Sequence, residues 1–356
     1  MSASSSFAST ARTLVLDIGS GTQDVLYVEP SLVQNNWPKF VLPAPARAVA
    51  ARISAMTAAG RAVYLCGTNM GGGFYRALKA HLAAGLPAAA HPEAAYSLGD
   101  DLSLVEKMGV TLSETMPEGH VPVQLADYDA GFWRAFLAAA GLAQPDMVVA
   151  CAQDHGFHPG KSNREGRFRL WQRFLTEAEG RPEALIYHRL PSELTRLSAV
   201  QRAIGGGPVA DSGPAAVLGV LAVPEIEARA HAEGGCIVNI GNSHTIAFLV
   251  HGGRMWGVYE QHTGIKDGPA LWEDLTRFRT GELTFAEVFD AKGHGCMTLD
   301  LPKEANGFAS TWVIGPQRDL LAGFPVEFPH PGGDMMLAGC FGLLKGLGGG
   351  LGGFHG

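Results

Sequence analysis

The chain alternates between short unbroken apolar runs and longer stretches with apolar residues every three or four positions. Residues 13–18 and 23–29 read as two strands around a turn of Gly19, Ser20, Gly21 and Thr22. KFVLPAP reads as a third strand or an edge, limited by its prolines. Residues 47–60 have helical spacing and end in glycine, 62–68 form a buried strand followed by NMGGG, and 74–85 form a helix. PAAA reads as a short strand, DDLSLVEKMG as a helix with an acidic start, 130–141 as a helix and 146–152 as a buried strand. This order predicts an α/β fold with a largely parallel sheet covered by helices.

After residue 155 the pattern changes. HGFHPGKSNREGRFRLW is polar and basic and reads as a loop entering a helix, and ELTRLSAVQRAI and PAAVLGVLAV read as helices. Residues 234–264 then repeat the opening design: an apolar strand, a small polar turn, a returning strand, an HGGR hairpin turn and a third strand. WEDLTRFRTG follows as a helix, TWVIG as a short strand, and DMMLAGCFGLLKGL as a strand–glycine–helix unit. Two copies of one hairpin in one chain predict an internal duplication.

Composition narrows the function. The 356 residues carry a net charge of −7, with 46% hydrophobic and 17% charged. That permits a sizeable core and gives no basic stripe for nucleic acid. No run of 18 apolar residues exists, so no membrane span is expected. The leading MSASSSFASTAR reads as disordered and not as a signal peptide, and the closing GLGGGLGGFHG as a flexible tail. Cys66, Cys151, Cys236, Cys296 and Cys340 are odd in number and far apart, which suits reduced thiols in a cytoplasm. No CxxC or CxxxCxxC spacing occurs, which argues against a clustered-cysteine metal or iron–sulfur site.

A phosphate group needs backbone N–H donors and hydroxyls at close range with no bulky Cβ between them, which selects glycine, serine and threonine. Asp17 ends its strand beside such a turn, where a carboxylate is a natural outer-sphere anchor for Mg²⁺, which keeps several waters. Two such turns, one per domain, can hold one polyphosphate from both sides of a cleft. The competing reading is two ordinary hairpins with glycine turns.

LDIGSGTQD resembles the first phosphate motif of the actin, sugar-kinase and Hsp-type chaperone superfamily, VNIGNSHT (238–245) the second, and MMLAGCFGLLKG (335–346) the adenosine motif. ADSGPAAVLG (210–219) resembles the helix connecting the two lobes. GTNMGGGFYRAL, AHPEAAYSLGDDL and AQDHGFHPG resemble a branch labelled pyruvate formate-lyase activating enzyme. That label implies radical S-adenosylmethionine chemistry with three clustered cysteines, which this chain lacks, so that activity is rejected. The superfamily resemblance implies a two-lobed actin-like (ribonuclease H-like) fold with duplicated βββαβαβ-type domains. It also implies ATP and Mg²⁺ as cofactors. Asp17 would serve the metal through water. Gly19, Ser20, Gly21 and Thr22 would contact the β- or γ-phosphate, and Gly241, Asn242, Ser243 and Thr245 would contact phosphates from the other lobe. Gly339 and Gly342 would lie against adenosine. Asn239 stands where the second motif usually has aspartate, which weakens metal binding from that lobe.

The strongest further candidates lie in VVACAQDHGFHPGKSNREGR (148–167), where a buried strand delivers Gln153, Asp154 and His155 to its C-terminal end. Asp154 suits a general base, and Gln153 could instead orient a water. Lys161, Arg164 and Arg167 suit an anionic substrate or γ-phosphate. Asp154 as a cap, backbone-bonded histidines and a solvated basic face are the alternatives. Asp154, His155 and His158 form a looser metal candidate. Weaker candidates are MGGG (70–73) for an anion, His91 and Glu93 in the cleft, Asp211 and Ser212 as a helix cap, 262–268 facing substrate, and Arg318.

The expected organisation is a disordered 1–11, a first lobe over 12–211, a second lobe over 212–346 whose last helix packs back towards the first, and a tail over 347–356. The favoured function is a cytoplasmic small-molecule kinase or ATPase acting on Mg·ATP and a small anionic substrate. The alternatives are a nucleotide-dependent switch or assembly factor, and a metal-dependent hydrolase or transferase using His155 and His158. The oligomeric state stays open, a homodimer included.

Overall fold

The computed structural model describes residues 11–160 and 162–348. The expected disordered lead and most of the tail lie outside them. The chain opens with β1 (Thr13–Ile18), β2 (Thr22–Val28) and β3 (Lys39–Pro43), followed by α1 (Pro45–Ala58), β4 (Val63–Gly67), α2 (Tyr75–Ala83), β5 (Ala88–Ala90), α3 (Pro92–Ala95), α4 (Leu102–Lys107), β6 (Val110–Leu112) and β7 (Val121–Leu125). Next come α5 (Ala130–Ala139), β8 (Met147–Ala152), α6 (Asn163–Glu177), β9 (Ile186–Tyr187), α7 (Thr195–Ala203), β10 (Val209–Ala210), α8 (Ser212–Val220) and α9 (Pro224–Glu233). The second unit holds β11 (Gly235–Ile240), β12 (His244–His251), β13 (Arg254–His262), α10 (Gly268–Thr280), α11 (Phe285–Asp290), β14 (Gly295–Thr298), β15 (Thr311–Ile314) and α12 (Ala338–Gly346).

The strands form three sheets. The first runs β3-β2-β1-β8-β10-β9 and the second β14-β13-β12-β11-β15. In both, the leading strand pairs antiparallel with the next and parallel with a later strand: β1 with β2 and β8, β11 with β12 and β15. The shared order is third, second, first, then a parallel partner. It is the duplicated topology of the two-lobed actin-like, ribonuclease H-like fold. The central strands are covered on both faces and are therefore almost continuously apolar. Val15 of β1 faces α8 and α12, while Leu14, Leu16 and Ile18 face α5 and α7. In β11, Ile237 faces α6, α8 and α9, while Cys236, Val238 and Ile240 face α10.

Three expectations need correction. β4, β5, β6 and β7 do not extend the main sheet but form their own four-stranded parallel sheet, ordered β6-β5-β4-β7. It encloses a separate core of Ile53, Leu65, Phe74, Leu78 and Val123. The apolar runs announce strands but carry no label for their sheet. Met335–Leu337 forms a 3-10 turn and not a strand, because Asp334 accepts a bond from the Met336 N–H and starts helical winding. α6, although it precedes residue 211, packs Phe168, Trp171 and Phe174 against Phe248, Met255 and Val258 of the second sheet.

Between the sheets lie α8 and α12. Every residue of α8 from Gly213 to Val220 is buried. Its Ala216, Val217 and Val220 join the core of the second sheet, and its Ala215 and Leu218 join that of the first. α12 does pack back on the first sheet, through Cys340, Leu343 and Leu344 against Val15 and Val149. The two helices touch backbone to backbone: a Cβ on Gly342 would overlap the Ala215 carbonyl, and one on Gly219 the Ala338 carbonyl. Glycine is required here by close approach. Gly342→Ala is expected to lower unfolding free energy by about 3 kcal/mol in urea denaturation. Gly323→Ala, where an added Cβ meets nothing within 4 Å, should change it by under ~0.5 kcal/mol. Equal effects for the two would contradict this account of the crossing.

Candidate functional site: a cleft between two equivalent turns

β1 and β11 end alike. Each finishes in isoleucine–glycine, and each glycine N–H closes the turn on the carbonyl three residues on, Gly19 to Thr22 at 3.0 Å and Gly241 to His244 at 2.9 Å. The turns come from different sheets yet meet: the Ser20 and Ser243 hydroxyls are 2.7 Å apart. Beside them opens a cleft of about 520 Å³ lined from both sides. Asp17, Gly19, Ser20 and Thr22 line it from the first turn, Asn239, Gly241, Asn242, Ser243 and His244 from the second, with Gln153, Asp154, His155 and Gly339.

Three expected contacts are not in this lining. Gly21 packs against the Asn242 side chain, which a Cβ there would strike. Thr245 is fully buried and hydrogen-bonds Thr263 at 3.1 Å. Gly342 serves the helix crossing described above, so the adenosine-type motif lines the cleft through Met335, Met336, Ala338 and Gly339. Gly339 itself abuts the Asp17 carboxylate, which a Cβ would overlap.

Asp17 and Asp24 are cross-strand partners on β1 and β2. Burial pushes the Asp17 carboxyl up to about 7, with the negative charge of Asp211 adding to it. Burial and the neighbouring Asp17 push Asp24 up to about 8. One oxygen of Asp24 is buried without a hydrogen-bond partner. Two crowded carboxylates, one with an orphaned oxygen, are a donor set that fits a hard divalent cation such as Mg²⁺.

The stretch after β8 is committed to structure more than its sequence suggests. Asp154 is 4% exposed, and its two oxygens accept the N–H groups of Gly156 at 2.8 Å and Leu197 at 2.9 Å. It thus shapes the turn and the start of α7, which fits the capping alternative and not the expected base. His158 Nε2–H donates to the His155 carbonyl at 3.0 Å and the ring packs on Gly166, so it does not join Asp154 around a metal. Arg164 donates to the carbonyls of Phe289 and Gly293 at 2.9 and 2.7 Å. Arg167 is 2% exposed and held by Asp211 at 2.6 Å and Glu260 at 3.1 Å. Arg196, which also lines the cleft, is paired with Asp127 at 2.8 Å. Both cleft arginines are therefore paired with carboxylates, and among the described residues of this run Arg167 is the arginine in the cleft lining. Lys161 lies outside the described residues.

Of the weaker candidates, Met70 to Gly73 do line the cleft, as do Asp211 and Ser212. Asp211 caps α8 through the Gly213 N–H at 3.1 Å as well as holding Arg167. His91 caps α3, and Glu93 pairs with Arg202 at 2.7 Å, both away from the cleft lining. Arg318 lies over Phe328 and meets His330.

Sequence reading misses two things. Glu260, 0% exposed, accepts from Arg167, from Trp171 Nε1 at 2.6 Å and from Gln153 Nε2 at 2.9 Å. Its attraction to Arg167 outweighs burial and holds it well below the usual carboxylate range. Beside it stand the rings of His155, His244, His262 and His294, with neighbouring centroids 4.7–5.3 Å apart. Burial drives His244 down to about 3 and His294 to about 4, so both imidazoles stay neutral. A charged residue in an otherwise apolar strand, VYEQ, was the available signal for Glu260. His155 was already a sequence candidate, whereas His244 and His294 are scattered in sequence and gave no signal of meeting it.

A family profile described as "Putative pyruvate format-lyase activating enzyme (DUF1786)" matches residues 70–320. No curated protein matches the chain. Among solved structures, similarity is found to the "Activator of the 2-Hydroxyisocaproyl-CoA Dehydratase from Clostridium difficile with bound ADPNP" (TM-score 0.33, 10% identity, 95% of each chain). It is also found to the ethanolamine utilization protein EutJ from Carboxydothermus hydrogenoformans (0.29, 11%, 94% of this chain and 88% of that one). A carbohydrate kinase from Novosphingobium aromaticivorans aligns at 0.24 and 14% identity over 95% of this chain and 91% of its own.

The activity in the family description would need a cysteine-held iron–sulfur cluster. The cysteines do not fit it. They are free, four are buried on separate elements, and among the described residues no three of them converge. Burial pushes the Cys151 and Cys340 thiols far above their ordinary value, away from the thiolate a cluster needs.

Removing Arg167 would leave Asp211 and Glu260 buried and unpaired. Arg167→Met is expected to cost about 3–5 kcal/mol in chemical denaturation. Adding Glu260→Gln should recover part of that loss, and strictly additive effects would show that the two side chains are not coupled.

Proposed function

The chain belongs to this family, and we propose that its cleft binds ATP with Mg²⁺ between the two lobes and supports transfer or hydrolysis of the terminal phosphoryl group. The observation that carries this reading is the pair of equivalent small-residue turns, one from each sheet, opening on a single cleft. The N–H groups and hydroxyls around Ser20 and Ser243 are the donors a polyphosphate requires. A ligand seated between them would replace the Ser20–Ser243 hydrogen bond. The neighbouring Asp17 and Asp24 would hold Mg²⁺, which supplies charge neutralisation of the phosphates when bound. Gly339 leaves room for Asp17 beside α12. Gln153, oriented by Glu260, suits the positioning of an attacking water or hydroxyl, and Asp154 acts as a positioning residue by fixing the loop that carries it.

A second reading, a nucleotide-dependent switch whose lobes close without turnover, is favoured by two features. Asn239 replaces a carboxylate in the second turn, and the oxygens of Asp154 are already taken by backbone N–H groups.

ATP with Mg²⁺ at a hundredfold excess over its dissociation constant should stabilise the folded chain by ~2.7 kcal/mol, read as a rise in melting temperature. Asp17→Asn should remain folded and weaken the Mg²⁺-dependent affinity about tenfold in calorimetry. ADP accumulation would mark turnover and its absence the switch. No stabilisation by any nucleoside di- or triphosphate with Mg²⁺ would end both readings.

A further inference from the structure

We propose that His155, His244 and His294 form a site for one divalent first-row transition-metal ion of the Zn²⁺ type, and that this ion joins the two lobes. The ligand-capable atoms of these side chains lie within 4.8 Å of one another. Both ring nitrogens of His244 and the Nδ1 of His294 are buried without any hydrogen-bond partner. A buried polar atom left in that state costs about 1–3 kcal/mol. Two histidines elsewhere show the contrast: His81 bonds Thr57 and the Pro87 carbonyl, and His91 caps α3. His244 and His294 are thus left with buried unpartnered nitrogens beside His155, and a metal ion is the partner that accepts several imidazole lone pairs at one point.

Arg167, Asp211 and Glu260 form a buried ion-paired set carrying −1, and Arg164, which donates to the Gly293 carbonyl beside His294, adds +1, so these charges cancel next to the imidazoles. Glu260 is joined directly to the His294 segment, its carbonyl accepting the His294 N–H at 2.9 Å. Neutral imidazoles select zinc, copper, nickel or iron over magnesium, so this site differs from the carboxylate pair at Asp17 and Asp24. His262, its ring 4.7 Å from His244 and 4.8 Å from His294, stands ready as a fourth ligand or as an orienting neighbour. His155 and His244 line the cleft, so any remaining coordination position faces it.

The three ligands come from both lobes. His155 follows β8 of the first sheet, while His244 opens β12 and His294 precedes β14 of the second. Bonds of ~2.1 Å in a tetrahedral shell put ligand nitrogens roughly 3.4 Å apart. A span of up to 4.8 Å shrinks on binding, which draws the three side chains together. The site needs no nucleotide, and it goes beyond the nucleotide reading without depending on it.

The test uses the full chain, dialysed against chelator and titrated with Co²⁺ alone, then with Zn²⁺ as competitor. One equivalent of Co²⁺ is expected, with visible bands of a nitrogen-rich site of low coordination number, displaced by Zn²⁺. His244→Gln and His294→Gln should each weaken uptake by roughly a hundredfold or more, whereas exposed His231→Gln should leave it unchanged. X-ray absorption of the zinc-loaded wild-type chain should show at least three imidazoles, a readout that survives any folding defect in the variants. Uptake equal in wild type and His244→Gln, or a shell of oxygen ligands only, would overturn the proposal. Because no nucleotide is present, failure here leaves the nucleotide result untouched, and the converse holds too.

Discussion

The close crossing of α8 and α12 sets the geometry of everything else. Each sheet buries one face on this pair, and the pair has almost no side-chain thickness where it crosses, at Gly219 and Gly342. Interiors pack at near-crystal density and deform little. The spacing of the sheets is therefore fixed at the crossing. The C-terminal ends of β1 and β11 project past it from either side, and their turns come close enough for Ser20 to touch Ser243. A larger residue at either glycine would act on the cleft by moving its walls, without touching any group in it.

A second tie spans the lobes through charge. Arg167 reaches from α6 to Asp211 at the start of α8 and to Glu260 on β13, and also bonds the Asp154 carbonyl at 2.6 Å. Burying one cation with two anions costs desolvation that Coulomb attraction repays only when every remaining donor and acceptor is used. Here Trp171 and Gln153 supply further donors to Glu260. The network is better understood as a device for registering three elements than as a source of net stability. It also explains why Arg167, which in sequence looks suited to a phosphate, is held by carboxylates instead.

Much of this was legible in the sequence. The duplicated hairpins, the connecting helix and the return of the last helix follow from apolar runs and small-residue turns, because both reflect local chemistry. That Asp17, Ser20, Asn242 and Ser243 would face one cleft was legible for the same reason. What failed was long-range. The fate of a carboxylate depends on what packs against it, so Asp154 could not be told from a base until the N–H groups of Gly156 and Leu197 were seen beside it. Gly342 carries the same spacing whether it faces a ligand or a helix. Glu260 and the histidines at 244 and 294 meet only through strand pairing, and no local period marks them.

The two turns have diverged in the kind of donor atom they present. In the first lobe Asp17 faces Asp24 across the ladder, whereas the equivalent pair in the second is Asn239 and Ile246. The first returning strand opens with Thr22 and the second with His244. One wall thus offers carboxylate oxygens and the other imidazole nitrogens, with His155 crossing from the first lobe to complete the second set. Hard ions with tightly held water favour the oxygen wall, and borderline ions favour the nitrogen wall. A duplicated hairpin that kept its backbone while exchanging these few side chains has made one cleft with two chemically distinct ends.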